Sequence, residues 1–431
     1  MTAFDRFDRV FEDVLADLAQ PTYPDYIDNV LARATTGSQR PAWTFPERWF
    51  PMSTIARPAS LAPGLPWRNV AILALLALLA ATILAVAIGT QQRLAPPYGP
   101  ADNGLIVYQL GGDIYARDAL DGAERVLIGG EQTDVYPFFS LDGSRLAFLR
   151  IDPATAGMAN EQVTLLVADP DGTKERLVAG PSVILDVAWS PNGKDLAVLD
   201  EVGGTPRLSV VPVDGGTPRV IDFEGRITNR VAWRPPHGNE LVVLAEVNNL
   251  TSFYAIAADG TGHRLITGNQ DFADSNNFSL APDGRVLTFM NMAWPFSIGV
   301  LDLESGALER FGKNLPPLSP GEVHAGGVRL SADGLKLVFG RYWDERDGSI
   351  NHQIWVASLA GDGADGVAIT PVLRTPSGAD PFLVMTAPDD SQILLHHLGT
   401  TDTWITDFSG SNTRVVDWGS IEESDWQRVA P

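Results

Sequence analysis

The sequence predicts an all-β fold, a ring of repeated antiparallel sheets of the propeller kind, and three observations predict it. The first is a short phrase used six times: FSLDGSRLAF (139–148), WSPNGKDLAV (189–198), WRPPHGNELVVL (233–244), LAPDGRVLTF (280–289), LSADGLKLVF (330–339) and TAPDDSQILL (386–395). The second is another phrase that alternates with it and occurs seven times: DIYARDALDG (113–122), TLLVADPDG (164–172), RLSVVPVDG (207–215), SFYAIAADG (252–260), SIGVLDLESG (297–306), QIWVASLAG (353–361) and TWITDFSG (403–410). The third is the period. The turn residues Gly143, Gly193, Gly238, Gly284 and Gly334, with Asp390 in the sixth place, lie 50, 45, 46, 50 and 56 residues apart. Repeats of this size mark a propeller or a solenoid.

Each copy of the first phrase is an apolar strand end, a Ser/Pro/Asp/Gly turn and then alternating apolar residues, which is the pattern of a β-hairpin. The Asp-Gly pair suits a tight turn because Gly adopts positive φ without steric cost. Seven copies of the second phrase against six of the first leave one inner strand to be supplied from elsewhere. The C-terminal ESDWQRVAP (423–431) has the aromatic strand character and stops before any turn. Placing Asp425 to Val429 beside Leu105 to Tyr108 closes a ring of seven blades and removes the sheet edge. Six blades result if the first or last phrase is not a full blade.

The alternation of an FSPDG-type turn with an IYxxDxDG-type strand resembles the TolB-like, WD-repeat-like β-propeller family. The resemblance covers roughly Asn103 to Pro431. It implies fold more than function, because this architecture serves binding proteins and enzymes alike.

The 431 residues carry 53 acidic and 31 basic side chains, a net charge of −22. Residues 1–68 hold eight of the acids and seven arginines, so nearly all the excess falls on the remainder. Such a domain repels phosphate backbones, and nucleic acid is not expected as a partner. There is no cysteine, which excludes disulfides, thiolate metal sites and a Cys nucleophile.

Four regions are expected. Residues 1–36 read as a cytoplasmic helical hairpin. Phe4, Phe7, Phe11, Val14, Leu15 and Leu18 share one helical face, Pro21 ends that helix, and Pro24 opens a second with Tyr26, Ile27, Val30 and Leu31 on one side. A cytoplasmic partner could dock there. Residues 37–68 form a Pro/aromatic juxtamembrane linker. Its prolines forbid a long helix, and Trp43, Phe45, Trp49 and Phe50 interleave with Arg40, Arg48 and Arg57, a mixture suited to an anionic membrane surface. Residues 69–91 hold a transmembrane helix. Val70 to Ile88 is an uncharged run of Val, Ala, Ile and Leu broken by one Thr, about the length that crosses a ~30 Å hydrocarbon core. Arg48, Arg57 and Arg68 precede it and only Arg93 follows closely, which puts the N-terminus in the cytoplasm and the propeller, 103–431, outside. This order of a short helical region, one span and an external domain resembles the layout of membrane-bound anti-sigma factors, although residues 1–68 contain neither the His nor the Cys of the zinc-binding kind.

Catalytic patterns are sparse. No G-x-S-x-G elbow occurs, and no hydrolase domain follows the repeats. His396 and His397 are adjacent, so on a strand they face opposite ways and do not share a metal. His237, His263, His324 and His352 stand singly and read as surface or turn residues. Asp169 to Gly172 resembles the start of a calcium loop but lacks its downstream ligands, and reads as a β-turn. Trp189, Trp233, Trp355 and Trp404 read as blade core. No cofactor, metal site or catalytic residue is assigned. The expected function is a membrane-anchored extracytoplasmic protein that binds an unidentified protein or small ligand at the propeller funnel. The alternatives are a transmembrane signalling protein with the propeller as sensor, and a lyase or hydrolase with carboxylates in the funnel. The candidate binding face is Asp134, Asp186, Asp274, Asp380 and Asp425, each expected in a blade-to-blade connection shortly before an inner strand. Such connections gather at one end of the central channel, where five carboxylates would attract a cation or a basic partner.

Overall fold

The computed structural model describes residues 72–78, 95–267, 272, 275–291, 297–316, 324–344, 349–376, 382–397 and 401–431. The chain divides into two compact units, Met1–Gln91 and Gln92–Pro431. In the first, residues 72–78 are helical with exposed side chains. No helix among the described residues is long and apolar enough to cross a membrane. The expected helical hairpin, linker and span of 1–36, 37–68 and Val70 to Ile88 lie outside the described residues, apart from 72–78.

The second unit is built of antiparallel sheets. One joins the two ends of the repeat region in the order β28 (Ser424–Val429), β1 (Asp102–Leu110), β2 (Asp113–Arg117), β3 (Glu124–Ile128). Val429 lies opposite Asp102, Trp426 opposite Ile106 and Ser424 opposite Tyr108, so the C-terminal strand supplies the inner strand that the first repeat lacks. A seven-stranded sheet follows, made of β4 (Asp134–Phe139), β5 (Leu146–Ile151), β6 (Val163–Ala168), β7 (Arg176–Trp189), β8 (Asp195–Val202), β9 (Thr205–Pro212) and β10 (Arg219–Val220). Its strand β7 is shared. Residues up to Ser182 pair with β6 as an outer strand, and residues from Val183 pair with β8 as an inner one. Three more sheets run β11 (Arg226–Trp233) to β14 (His263–Leu265) through β12 (Glu240–Val247) and β13 (Leu250–Ala257), then β15 (Ser275–Leu280) to β18 (Leu308–Phe311) through β16 (Val286–Asn291) and β17 (Ser297–Asp302), and β24 (Phe382–Thr386) to β27 (Arg414–Asp417) through β25 (Ile393–His397) and β26 (Asp402–Thr406). Between the last two lies β19 (His324–Leu330), β20 (Lys336–Asp344), β21 (Ser349–Ser358), β22 (Val367–Ala368), with β23 (Leu373–Pro376) also on β21.

The inner strands follow one another round a closed ring. β28 lies beside β4, β7 beside β11, β11 beside β15, β15 beside β19, β19 beside β24, and β24 beside β28. The indole of Trp189, on β7, reaches the Phe138 carbonyl of β4 at 3.4 Å and completes the circuit. The fold is a β-propeller.

The faces of neighbouring sheets bury the alternating apolar residues against each other. Phe253, Phe272, Phe278 and Phe289 interlock between two sheets with ring centroids 5.0 to 5.8 Å apart. Burial of each such ring stabilises the packing by roughly 2 kcal/mol or more. Trp189, Trp233 and Trp355 are buried as expected of blade core, and Trp404 is half-buried against it.

The turns of the first phrase form a second ring at one end of the channel. A Cβ on Gly143 would lie 1.8 Å from the Arg428 carbonyl oxygen, and one on Gly284 would lie 1.8 Å from that of Pro235. Each turn therefore presses on the turn or strand end of the preceding sheet, which is a stronger reason for Gly than positive φ alone. Asp390, at φ +57°, solves the same contact differently: its carboxylate accepts the backbone N–H groups of Ala332 and Asp333 at 2.6 and 2.8 Å. The incoming segment 95–101 is held at this end too. Ala95 N–H donates to the Asp142 carbonyl, Ala101 N–H to that of Pro388, and the Arg428 guanidinium to those of Pro96 and Gly99.

Candidate functional site

The opposite end of the channel is where the inner strands begin, and their pairing is irregular there. The register breaks between Val135 and Phe138, Ile184 and Asp186, Ile227 and Val231, Asn276 and Phe278, and Gly326 and Arg329. A bulge adds a residue to one strand and re-aims the side chains around it. Tyr136 occupies the first bulge at φ +52°, with its side chain exposed. A positive φ is uncommon for a bulky residue, and here tertiary contacts impose it. The Tyr136 N–H donates to the side-chain oxygen of buried Gln109 at 3.3 Å, and the Gln109 amide donates to Glu422.

A cavity of about 650 Å³ opens at this end. Its walls come from four successive blades: Val135, Tyr136, Phe138, Leu149 and Val163 from β4, β5 and β6 of the seven-stranded sheet, Val183 to Val187 from β7, Arg230 from β11, and Glu423 just ahead of β28. Glu161, in the loop between β5 and β6, completes the rim. One side is aliphatic and the other charged. A cavity of about 700 Å³ at the other end is lined by turn residues, among them Asp142, Lys174 and Arg428, and by the chain end; it lies between two adjacent blades only.

The charged side of the upper cavity continues into the channel. Arg329 on β19 is solvent-accessible yet surrounded by protein, and the charges of Arg230, Asp425 and Glu423 all act on it. Those residues come from β11, β28 and its approach, which are not neighbours of β19, so they meet only across the channel. Burial, joined by Arg230, pulls the Arg329 pKa down, while Asp425 and Glu423 oppose that shift. Burial raises the carboxyl pKa of Asp186, offset in part by Arg230 and by the Val231 N–H that its side chain accepts at 2.7 Å. Burial likewise raises Glu423, against the pull of Arg329 and Arg230. Asp425 is pushed up to about 6 by burial, although it accepts the Phe139 N–H at 2.6 Å. These two inter-strand bonds tie β7 to β11 and β28 to β4.

Three of the candidate carboxylates fall on described residues, and they do not share one setting. Asp134 is the first residue of β4, buried, and held by Arg150 through two bonds of 2.7 and 3.0 Å. Asp186 lies within β7 and lines the cavity, and Asp425 lies within β28 and faces the channel charges. All three therefore sit in inner strands and not in the connections before them. The extended residues upstream of the repeated phrase still find ladder partners, which lengthens those strands. Asp274 and Asp380 lie outside the described residues. Arg230 and Arg329 are the side chains the sequence reading missed. Arg230 stands three residues before Trp233 and Arg329 one before Leu330, so the two share no position in the repeat and no local signal marks them.

His352 differs from the surface reading, and His396 is buried with it. His352 and His396 are almost fully buried on β21 and β25, with the His396 Nδ1 within 2.9 Å of the Thr403 hydroxyl. Burial lowers both to about 4, with a further lowering from His397. Long strands in two adjacent sheets carry these polar side chains inward, which single-residue reasoning does not reveal. His237 and His263 are exposed, as expected. The Asp169 to Gly172 segment is a turn closed by the Gly172 N–H on the Asp169 carbonyl.

No protein-family model matches the chain. No curated protein matches it either. Solved structures do. A structure from a study of two prolyl endopeptidases aligns with TM-score 0.53 at 14% identity, covering 76% of this chain and 50% of that one. The present chain thus spans half the length of that protein, and the likeness speaks for the fold. TolB from Acinetobacter baumannii aligns with TM-score 0.47 at 18% identity, over 74% of this chain and 81% of that chain. A functionally unknown protein from Desulfotomaculum acetoxidans aligns with TM-score 0.49 at 13% identity, over 76% and 99%.

Proposed function

We propose that this is a non-enzymatic, membrane-anchored binding protein whose seven-bladed propeller receives a protein or ligand at the channel mouth. Counting the shared strand β7 in two blades gives seven groups of four strands. The observation that carries the binding role is the 650 Å³ cavity, in which four successive blades converge with an aliphatic wall facing a charged one. Its charged group Asp186, and Asp425 beside it in the channel, are tied down by inter-strand hydrogen bonds, so the surface is preorganised and a ligand need not order it. The uncharged run Val70 to Ile88 and the arginines ahead of it support a single span, with the N-terminus in the cytoplasm and the propeller outside.

Two experiments test this. Protease added to intact spheroplasts should digest the propeller; a protected propeller with residues 1–68 cleaved reverses the orientation. Leu185→Arg, which fills the aliphatic wall with a charge, should abolish capture of the binding partner by the full chain in detergent. Undiminished capture of the same partner would move the site away from the mouth.

A further inference from the structure

The mouth cavity is asymmetric in charge. Arg230 and Asp186 line its inner side, and Arg329, from across the channel, acts on Glu423. On the outer side stand Glu161, Glu422 and Glu423 around the ring of Tyr136, whose hydroxyl pKa is raised first by burial and then by those three carboxylates. Among the described residues, no Lys or Arg forms an ion pair with any of the three. The Tyr136 backbone is fixed in the left-handed region by the bulge and by Gln109, and 52% of the residue's surface is exposed. Next to this ring run Val135, Leu149, Val163, Ile184 and Val187. An exposed aromatic face flanked by carboxylates attracts a cation through ring quadrupole and charge together, and the aliphatic wall offers contact only to a ligand with an apolar body.

Resting on the reading of the cavity as a binding site, we propose that it takes a lysine or arginine side chain of an extended, otherwise apolar polypeptide segment, lodged between the Tyr136 ring and the Glu161 and Glu423 carboxylates. The inner arginines turn away a cation that enters further, which keeps the basic head at the rim beside Tyr136. A small polycation finds the charge but buries nothing on the aliphatic wall.

The test uses the full chain in mild detergent and a fluorescent peptide, acetylated and amidated, of sequence Val-Leu-Lys-Leu-Val, read by anisotropy at low and high salt. Counterparts carry Gln or Glu in place of Lys, and spermidine serves as competitor. The Lys peptide should bind at least about tenfold more tightly than the Gln peptide, with the gap shrinking as salt screens the charges. Tyr136→Ala, and Glu161→Gln combined with Glu423→Gln, should each bring the Lys peptide down to the Gln level. Tyr136→Phe should retain binding, which separates the ring face from the hydroxyl and from any loss of folding. If the Lys and Gln peptides bind equally and both are lost in Leu185→Arg, the ligand class is overturned while the binding cavity stands. If spermidine displaces the peptide at equal concentration, the apolar segment is overturned. If none of the peptides binds, both the ligand class and the cavity reading fall.

Discussion

Replacing Gly284 by Ala tests the ring of turns most directly. The new Cβ would sit 1.8 Å from the Pro235 carbonyl oxygen and 2.6 Å from its carbonyl carbon, at φ +68°. Both obstacles are backbone atoms, so no side chain can rotate away, and the turn must retreat by about 1.6 Å to restore ordinary contact. The matched control is Gly203→Ala, between β8 and β9, where φ is +61° and no atom lies within 4 Å of the added Cβ. Both substitutions carry the left-handed strain of a non-Gly residue, about 1–2 kcal/mol, reduced by about 0.4–1 kcal/mol through the stiffer unfolded chain. Only Gly284→Ala adds the cost of overpacking, roughly 1–3 kcal/mol. Urea unfolding of the full chain, followed by the fluorescence of its 11 tryptophans, should therefore place Gly284→Ala below Gly203→Ala by about 1–3 kcal/mol at unchanged slope. Equal losses within about 0.5 kcal/mol would show that the turns do not press on one another and would refute the packing argument.

Trp426→Ala should destabilise the propeller by about 3–5 kcal/mol, since it empties a buried site on the strand that closes the ring; thermal melting within a degree of the parent would place the closure elsewhere. Asp134→Ala should cost about 1–3 kcal/mol, because it removes two charge-assisted bonds while Arg150 keeps Glu175 at 3.1 Å, and a smaller loss in Asp134→Ala than in the exposed-pair variant Asp118→Ala would remove the case for that bond. Asp425 titrates at about 6 in the folded chain against an ordinary 3.8, so the folded state takes up its proton first. Its charge is a cost above pH 6 that is relieved as pH falls toward 4, and Asp425→Asn should flatten the stability profile in that window; an identical profile in parent and variant would place the titration on another group. His352 and His396 act in the opposite sense: with folded values near 4, stability is lost as pH drops below 6.5, and His396→Gln should lessen that acid loss in urea titrations at pH 4.5.

The repeated phrases alone pointed to the hairpins and to the need for a strand from the far terminus, because alternation of apolar residues and Asp-Gly turns are local properties of the chain. The pairing of the C-terminal strand with the stretch around Leu105 to Tyr108 follows from that reasoning, whereas its register, with Trp426 opposite Ile106 and Val429 opposite Asp102, does not. The channel mouth was not legible in the same way. Asp134, Asp186 and Asp425 look alike in sequence, as acids ahead of an apolar strand, yet one is locked to Arg150, one lines the cavity and one accepts a backbone N–H from the next blade. Their differences arise from bulges, which shift which face a residue takes by one position and carry no reliable local signature. Arg230 and Arg329 are separated by nearly a hundred residues and act on the same carboxylate only because the ring brings non-neighbouring blades together across its axis. The sequence determined the repeating unit and its closure; the tertiary ring decided which charges meet, since electrostatic coupling depends on distance in space and on burial, and neither is written along the chain.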